Sequence, residues 1–306
     1  MELKELHYII AIAEEKSISK AAERLYMAQS SLSQALTTTE HTLGHKLFIR
    51  TANGVRPTES GQRLIRFAYG TLSEFHRVRD EMQDISELKT GHVIMGISSF
   101  RGSYLLPPVL NVFHKRYPDI HVQIVEKNSM ALEQMLLTGE VDIALLSKPD
   151  QPSRIQVRPL MKDEICIITH PDHPIMKLAV PQKENQRKQK LPWFIDISKA
   201  ADFEFLLSGY DTILGREARR IFRRHNITPI TYNEDLTAMF AASMGASGLG
   251  LAFTYYSSRH YFRNAALLSL GEDGFPLQLV TAVAPGRYHS KATLALDEVI
   301  FEVLGE

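Results

Sequence analysis

The stretch AQSSLSQALTTTE, Ala28 to Glu40, decides how the N-terminal part of this chain folds and what it faces. Its bulky apolar residues are Leu32 and Leu36, four apart, which form one narrow apolar stripe on a helix. The rest is mostly Gln, Ser and Thr, residues that compete with a helix by bonding to nearby backbone. A helix built this way docks along the leucines and turns short hydrogen-bonding side chains outward, toward something that reads them. For the stretch in isolation, a plain solvated face remains the competing reading.

Working outward, Leu3, Leu6, His7, Ile10 and Ala13, with Tyr8, Ile9 and Ile12, give an apolar first helix ending near Lys16. Ser19 precedes KAAERL with Glu23 four residues on, which predicts an N-cap at Ser19, and Ala21 and Ala22 let the second helix pack closely. Tyr26 to Ala28 is long enough only for a tight turn. Two short helices so joined are the helix-turn-helix arrangement, whose second helix enters the DNA major groove. Ser19, Gln29, Ser30, Ser33, Gln34, Thr37 and Thr38 are then the expected DNA-facing residues: Gln bonds adenine bidentately and Thr touches a thymine methyl. GHKLFIRTANGVRPTESG follows as a strand pair around a turn at Ala52 to Gly54, a wing with Arg50 and Arg56 flanking the turn to meet phosphate or the minor groove. From Ser19 to Arg66 there are seven basic and three acidic residues, +4, in a chain whose totals balance at 35 and 35.

Thr58 caps a long helix beyond Pro57. Its Ala68, Thr71, Phe75, Val78, Met82 and Ile85 repeat every seven residues, and from about Glu59 to Leu88 the helix reaches roughly 45 Å. That seam predicts a partner helix from a second copy, against the alternative of a core helix within one chain.

The chain has 306 residues, 44% hydrophobic and 23% charged, which suits two or more globular domains. Its one cysteine, Cys166, excludes an internal disulfide. With no basic-apolar leader and no run near the roughly 20 apolar residues of a membrane span, a cytoplasmic, non-membrane protein is expected. His170 and His173 in HPDHP resemble metal ligands, but Pro171 and Pro174 break any helix that would align them and no third ligand sits at a suitable spacing. Cys166 between Ile165 and Ile167 reads as a buried hydrophobe. No Gly-x-Ser-x-Gly, P-loop or dinucleotide fingerprint appears, and GASGLG lacks the strand that should precede it. The expectation is no enzyme, no cofactor and no metal.

A second domain starts near Gly91. VIMGIS, HVQIVE and VDIALL alternate with helical stretches Gly102 to Tyr117 and Met130 to Thr138, the pattern of a parallel α/β sheet. Strand-to-helix loops in such sheets bind ligands. Ser98, Ser99, Arg101, Gly102 and Ser103 follow the first strand, and Ser129 is expected to cap the next helix.

The motif SxxxAAxxLxxxQSxxSxxxxxxExxLGxxLFxRxxxxxxxTxxG is supplied by Ser17, Ala21, Ala22, Leu25, Gln29, Ser30, Ser33, Glu40, Leu43, Gly44, Leu47, Phe48, Arg50, Thr58 and Gly61. On these residues the chain resembles the LysR-type transcriptional regulators, and the likeness runs its whole length. It departs at Ala35, Thr39, Asn53 and Pro57, where Gln, Leu, Arg and Leu are common. The resemblance implies an all-α winged helix-turn-helix head at 1–58, a linker and dimerisation helix at 59–89, and a periplasmic-binding-protein-like α/β effector-binding domain at 90–306. That domain has subdomain I at 91–162 and 267–306 and subdomain II at 163–266. It also implies effector contacts across the cleft at Ile197, Ser198, Phe203 and near Gly248. Gln182 to Lys190, QKENQRKQK, reads from its own polar and charged composition as a solvated surface loop or helix. Arg101 points to an anionic effector. The implied partners are double-stranded promoter DNA, a small-molecule effector, a second copy in a homodimer or homotetramer, and RNA polymerase. The competing readings are a solute-binding protein of a transport system and an enzyme on the same scaffold.

Overall fold

The computed structural model describes residues 2–51, 54–84, 91–148, 153–182 and 191–305. The head consists of α1 (Leu3–Glu15), α2 (Ile18–Arg24), α3 (Gln29–Leu43), β1 (Phe48–Thr51) and β2 (Gly54–Pro57). Ile9, Ile12, Ala21, Ala22, Leu32, Leu36, Leu47 and Phe48 close one small core. The cap of α2 is Ser17, not Ser19: Ser17 is extended and its hydroxyl accepts from the Lys20 N–H at 3.4 Å. Lys16, left-handed at φ 51°, ends α1 immediately before it, so Ser19 falls inside the first turn of α2.

Glu40 ties α3 to the wing. Its carboxylate is buried and accepts from the backbone N–H of Leu47 at 2.8 Å and of Phe48 at 3.3 Å, and from Lys46 Nζ at 2.6 Å. Burial acts to raise its pKa, but Lys46 and the two N–H groups together hold it below the ordinary value. The hydroxyl of Thr58 caps α4 (Glu59–Asp84), accepting from Gly61 N–H at 3.0 Å. Gly61 is required, since a Cβ there would lie 2.0 Å from the Leu47 carbonyl oxygen.

On α4, Ala68 is 0% exposed and packs with Leu6 and Leu72 of its own chain. It therefore cannot meet a partner helix, and Thr71 is half-buried. Phe67, Phe75, Val78 and Met82 face solvent, Met82 at 69% exposure, so the outward stripe runs through Phe67 rather than Ala68. Ile85 lies outside the described residues.

The C-terminal domain runs β3 (Gly91–Ile97), α5 (Ser99–Arg116), β4 (Ile120–Glu126), α6 (Ser129–Thr138), β5 (Ile143–Ser147), β6 (Gln156–Thr169), β7 (Val180–Pro181), β8 (Trp193–Ile195), β9 (Glu204–Ser208), α7 (Ile213–Arg224), β10 (Ile230–Leu236), α8 (Ala238–Ala246), β11 (Leu251–Tyr255), β12 (Ala266–Leu270), β13 (Phe275–Val283) and α9 (Lys291–Leu304). The sheet order is β10-β9-β11-β6-β13-β5-β3-β4, with β12, β8 and β7 branching from β6. Parallel strands lie at both ends, and the antiparallel pair β6–β13 crosses between two hydrophobic cores. Ser290 caps α9, accepting from Thr293 N–H at 3.1 Å. The cap of α6 is Asn128, whose side chain accepts from Ala131 N–H at 3.0 Å, so Ser129 is the first helical residue and not the cap. Gln182 is buried and donates to the Glu272 carbonyl at 3.0 Å, contrary to a solvated segment; residues 183–190 lie outside the described ones. His170 and His173 each accept from a backbone N–H two residues on, at 3.2 Å, closing their own turns.

Replacing Glu40 with Gln is expected to cost the head about 1–3 kcal/mol at pH 7, since two buried N–H groups lose a charged acceptor. A carboxyl with a lowered folded pKa stabilises above its unfolded value, and that contribution fades as pH falls through the folded one. The variant and the parent should therefore converge as pH drops well below 4.5, measured by denaturant titration of the head transition.

Candidate nucleic-acid interface and effector cleft

The leucine stripe holds α3 by its middle and C-terminal half, where Leu32, Leu36, Thr39 and Glu40 are buried. Gln29, Ser30, Ser31, Gln34, Thr37 and Thr38 are exposed and Ser33 is half-buried. The Thr37 hydroxyl donates back to the Ser33 carbonyl at 2.9 Å, leaving its methyl as the outward group. Ser30, Ser31 and Thr38 have no hydroxyl donor partner among the described residues. The Ser19 hydroxyl donates to Gln29 Oε1 at 3.0 Å. Ala28, the cap, provides no side-chain acceptor, so the first N–H groups of α3 stay open, a favourable seat for an anion.

Two neighbours of this face escape a sequence reading. Ser31 is one more exposed hydroxyl. Tyr26, in the turn before α3, is 97% exposed and left-handed at φ 52°, an unfavourable conformation for a bulky residue. In the wing, Arg50 is paired with Val55 and Arg56 with Ile49 on adjacent rungs, so the two exposed arginines project from opposite faces of the ribbon.

In the C-terminal domain a cleft of about 1110 Å³ lies between the halves. One wall is Ser98, Ser99 and Phe100 after β3 with Glu126 to Ser129 from the end of β4 into α6; the other is Gly209 to Leu214 after β9, Glu234 to Met239 from the end of β10 into α8, and Tyr255. The N-termini of α5, α6, α7 and α8 all open on it. Asn128, Thr212 and Thr237 are occupied capping their helices. The hydroxyls of Ser98, Ser99 and Ser129 have no partner among the described residues. Opposite them, Asp211 and Asp235 converge on Gly209: a Cβ there would meet Asp235 Oδ1 at 2.5 Å and Asp211 Oδ1 at 2.8 Å. Neither carboxylate has a partner among the described residues.

Residues 86–305 match the LysR substrate binding domain, and residues 3–62 match the bacterial regulatory helix-turn-helix proteins of the LysR family. This chain belongs to the LysR family. It is a LysR-type DNA-binding transcriptional regulator with an effector-binding domain. The HTH-type transcriptional regulator YcgK of Bacillus subtilis is 39% identical over 188 residues, 61% of this chain and 54% of that protein, so the match spans about half of that relative. A protein named as a RuBisCO transcriptional regulator in Cyanophora paradoxa is 28% identical over 305 residues, 97% of this chain and 90% of that one. A full-length OxyR from Pseudomonas aeruginosa shares the fold, with a TM-score of 0.66 at 23% identity over 98% of this chain and 94% of that one. The regulatory head leaves the solute-transport reading without support.

In this LysR-type regulator several residues expected in the cleft lie elsewhere. Arg101 is 2% exposed: Nη2 lies 3.1 Å from Asp163 Oδ2, Nη1 donates to Ser147 Oγ at 2.6 Å, and the guanidinium sits 3.7 Å over the Tyr255 ring. Its charge is committed beneath the cleft, so it cannot hold an effector. Gly102 and Ser103 follow it into α5, the Ser103 hydroxyl donating to the Phe100 carbonyl at 2.7 Å. Ile197 is in the core and the Ser198 hydroxyl donates to Asp196 at 2.7 Å, because the Trp193–Ile195 strand branches off through β12. Phe203 packs on His173, ring centres 5.4 Å apart, and Gly248 follows the far end of α8 from the end that faces the cleft. The loop after β9 and the end of β10 form that wall instead, and the strand-then-Thr signals SGYDT and EDLT were the legible cue.

Arg101→Leu should cost about 3–5 kcal/mol by stranding Asp163, while Arg101→Leu with Asp163→Leu should recover much of that loss. Urea titrations of the two variants and the parent measure the difference.

Proposed function

We propose that this LysR-type regulator grips two half-sites of promoter DNA as a symmetric oligomer, laying α3 in the major groove with the wing against the backbone. The observation that carries this reading is the face of α3, polar, exposed and unclaimed by any packing. Gln29, Ser30, Ser33, Gln34, Thr37 and Thr38 contact bases or nearby sugar-phosphate, and Arg50 and Arg56 hold phosphates on either side of the wing. The outward stripe on α4, Phe67 to Met82, suits the same helix of a second copy, which gives the twofold its operator mirrors. RNA polymerase is the further partner such a regulator meets at a promoter. The protein works in the cytoplasm and acts by binding, not by catalysis.

The effector is a small zwitterion. Free serine hydroxyls at the α5 and α6 N-termini favour a carboxylate on one wall, while the unpaired Asp211 and Asp235 favour an ammonium group on the other. A purely anionic effector would meet Glu126, Asp211, Glu234 and Asp235 with Lys127 as the one cationic side chain in the lining. Titration calorimetry with amino acids, dicarboxylates and amines should show binding by compounds carrying both charges, weakened about tenfold or more, roughly 1.4 kcal/mol, by Asp211→Asn with Asp235→Asn. Tight binding of a dicarboxylate alone would remove the charge assignment.

Replacing Arg50 with Ala should weaken binding to every duplex by a similar factor and reduce the salt slope by about one. Unchanged affinity and slope in a gel shift across salt concentrations would show that Arg50 touches no phosphate.

A further inference from the structure

We infer that Ser19 is a positioning residue that ties the Gln29 amide oxygen to α2, so that Gln29 presents its NH2 group to the duplex and reads an acceptor edge, guanine O6/N7 or thymine O4, in preference to the paired donor and acceptor edge of adenine. The inference rests on the reading of α3 as the DNA-facing helix.

Ser19 has no work in the fold. Ser17 caps α2, and the Ser19 side chain is exposed with a single bond, to Gln29 Oε1 at 3.0 Å. Gln29 is the first residue of α3, the end that approaches base edges. An amide has an acceptor pole and a donor pole. Reading adenine needs both at once, the oxygen accepting from N6 while the nitrogen donates to N7. With Oε1 drawn back to the first turn of α2, that paired edge is not presented, and the donor pole is the one left over. In free protein the exposed Ser19–Gln29 bond competes with water and adds little stability. Once the duplex excludes that water, Ser19 remains within reach, and its hydroxyl, donating to Oε1 as it does here, keeps the acceptor pole back and the donor pole toward the groove.

The same logic fixes what removing the hydroxyl does. Without Ser19 Oγ the amide is free to turn over, and both poles become available to one base. Ala is the better helix former, so the substitution leaves α2 folded. Threonine retains the hydroxyl and should retain the pinning.

The test is selection of bound sequences from a random duplex library by the purified full-length protein, comparing the parent with Ser19→Ala, Ser19→Thr and Gln29→Ala. Gln29→Ala should relax one position of each half-site, and the parent should prefer G or T there on the contacted strand. Ser19→Ala should raise acceptance of A at that position about fivefold or more, the lower end of a bidentate base contact, with Ser19→Thr matching the parent. A parent that already selects A there, or a Ser19→Ala profile identical to the parent's, overturns the pinning while leaving the DNA-facing helix intact. A Gln29→Ala profile with no relaxed position overturns Gln29 as a base reader, and the inference with it.

Discussion

A guanidinium taken out of water must be paired, and in this protein that requirement governs the joint between the two halves of the effector-binding domain. Arg101 starts on α5, yet its partners come from β5, from the crossing strand β6 and from the end of β11: Ser147, Asp163 and the Tyr255 ring. Asp163 also accepts from the Ser257 backbone N–H and hydroxyl, both at 2.9 Å. Four pieces of chain thus meet at one buried charge. Leaving either partner alone would be far more costly than the net worth of the pair, so the arrangement is all-or-none.

That joint lies directly under the cleft. Phe100 and Tyr255 line the cleft, and their rings stack at 5.8 Å while Tyr255 covers Arg101. The surface a ligand would touch and the group that fixes the subdomains are therefore neighbours through one aromatic ring. Burial pushes the pKa of Tyr104 and Tyr255 above the ordinary tyrosine value, so both stay neutral beside the ion pair. The head uses a smaller version of the same device. Glu40, buried and bonded to the start of the wing, holds α3 by its far end and leaves the near end bare. A recognition surface is more exact when its support is packed and its reading face is not.

Much of this was legible beforehand because it is local. The paired leucines of α3, the short turn before it, the alternating wing and the strand-helix rhythm after Gly91 all sit within a few residues of each other in sequence. The misreadings of the two helix caps and of the α4 stripe share one feature: each chose between close neighbours in sequence. Ser17 and Ser19 are equal candidates to cap α2 until the left-handed Lys16 settles where the helix starts. Asn128 and Ser129 pose the same choice for α6. Ala68 and Phe67 are adjacent on α4, and packing against Leu6 decides which of them turns inward.

The amino-acid order by itself determined the family, the elements and the polar character of α3, since those follow from periodicity and turn chemistry over short spans. Only the tertiary structure decided where the charges went. Arg101 and Asp163 are 62 residues apart, and no pattern along the chain says that β6 will carry one to the other. Nor does it say that Asp211, in the loop after β9, and Asp235, near the end of β10, will face one cleft together. Burial and charge pairing depend on which strands lie side by side, and that is a property of the assembled sheet.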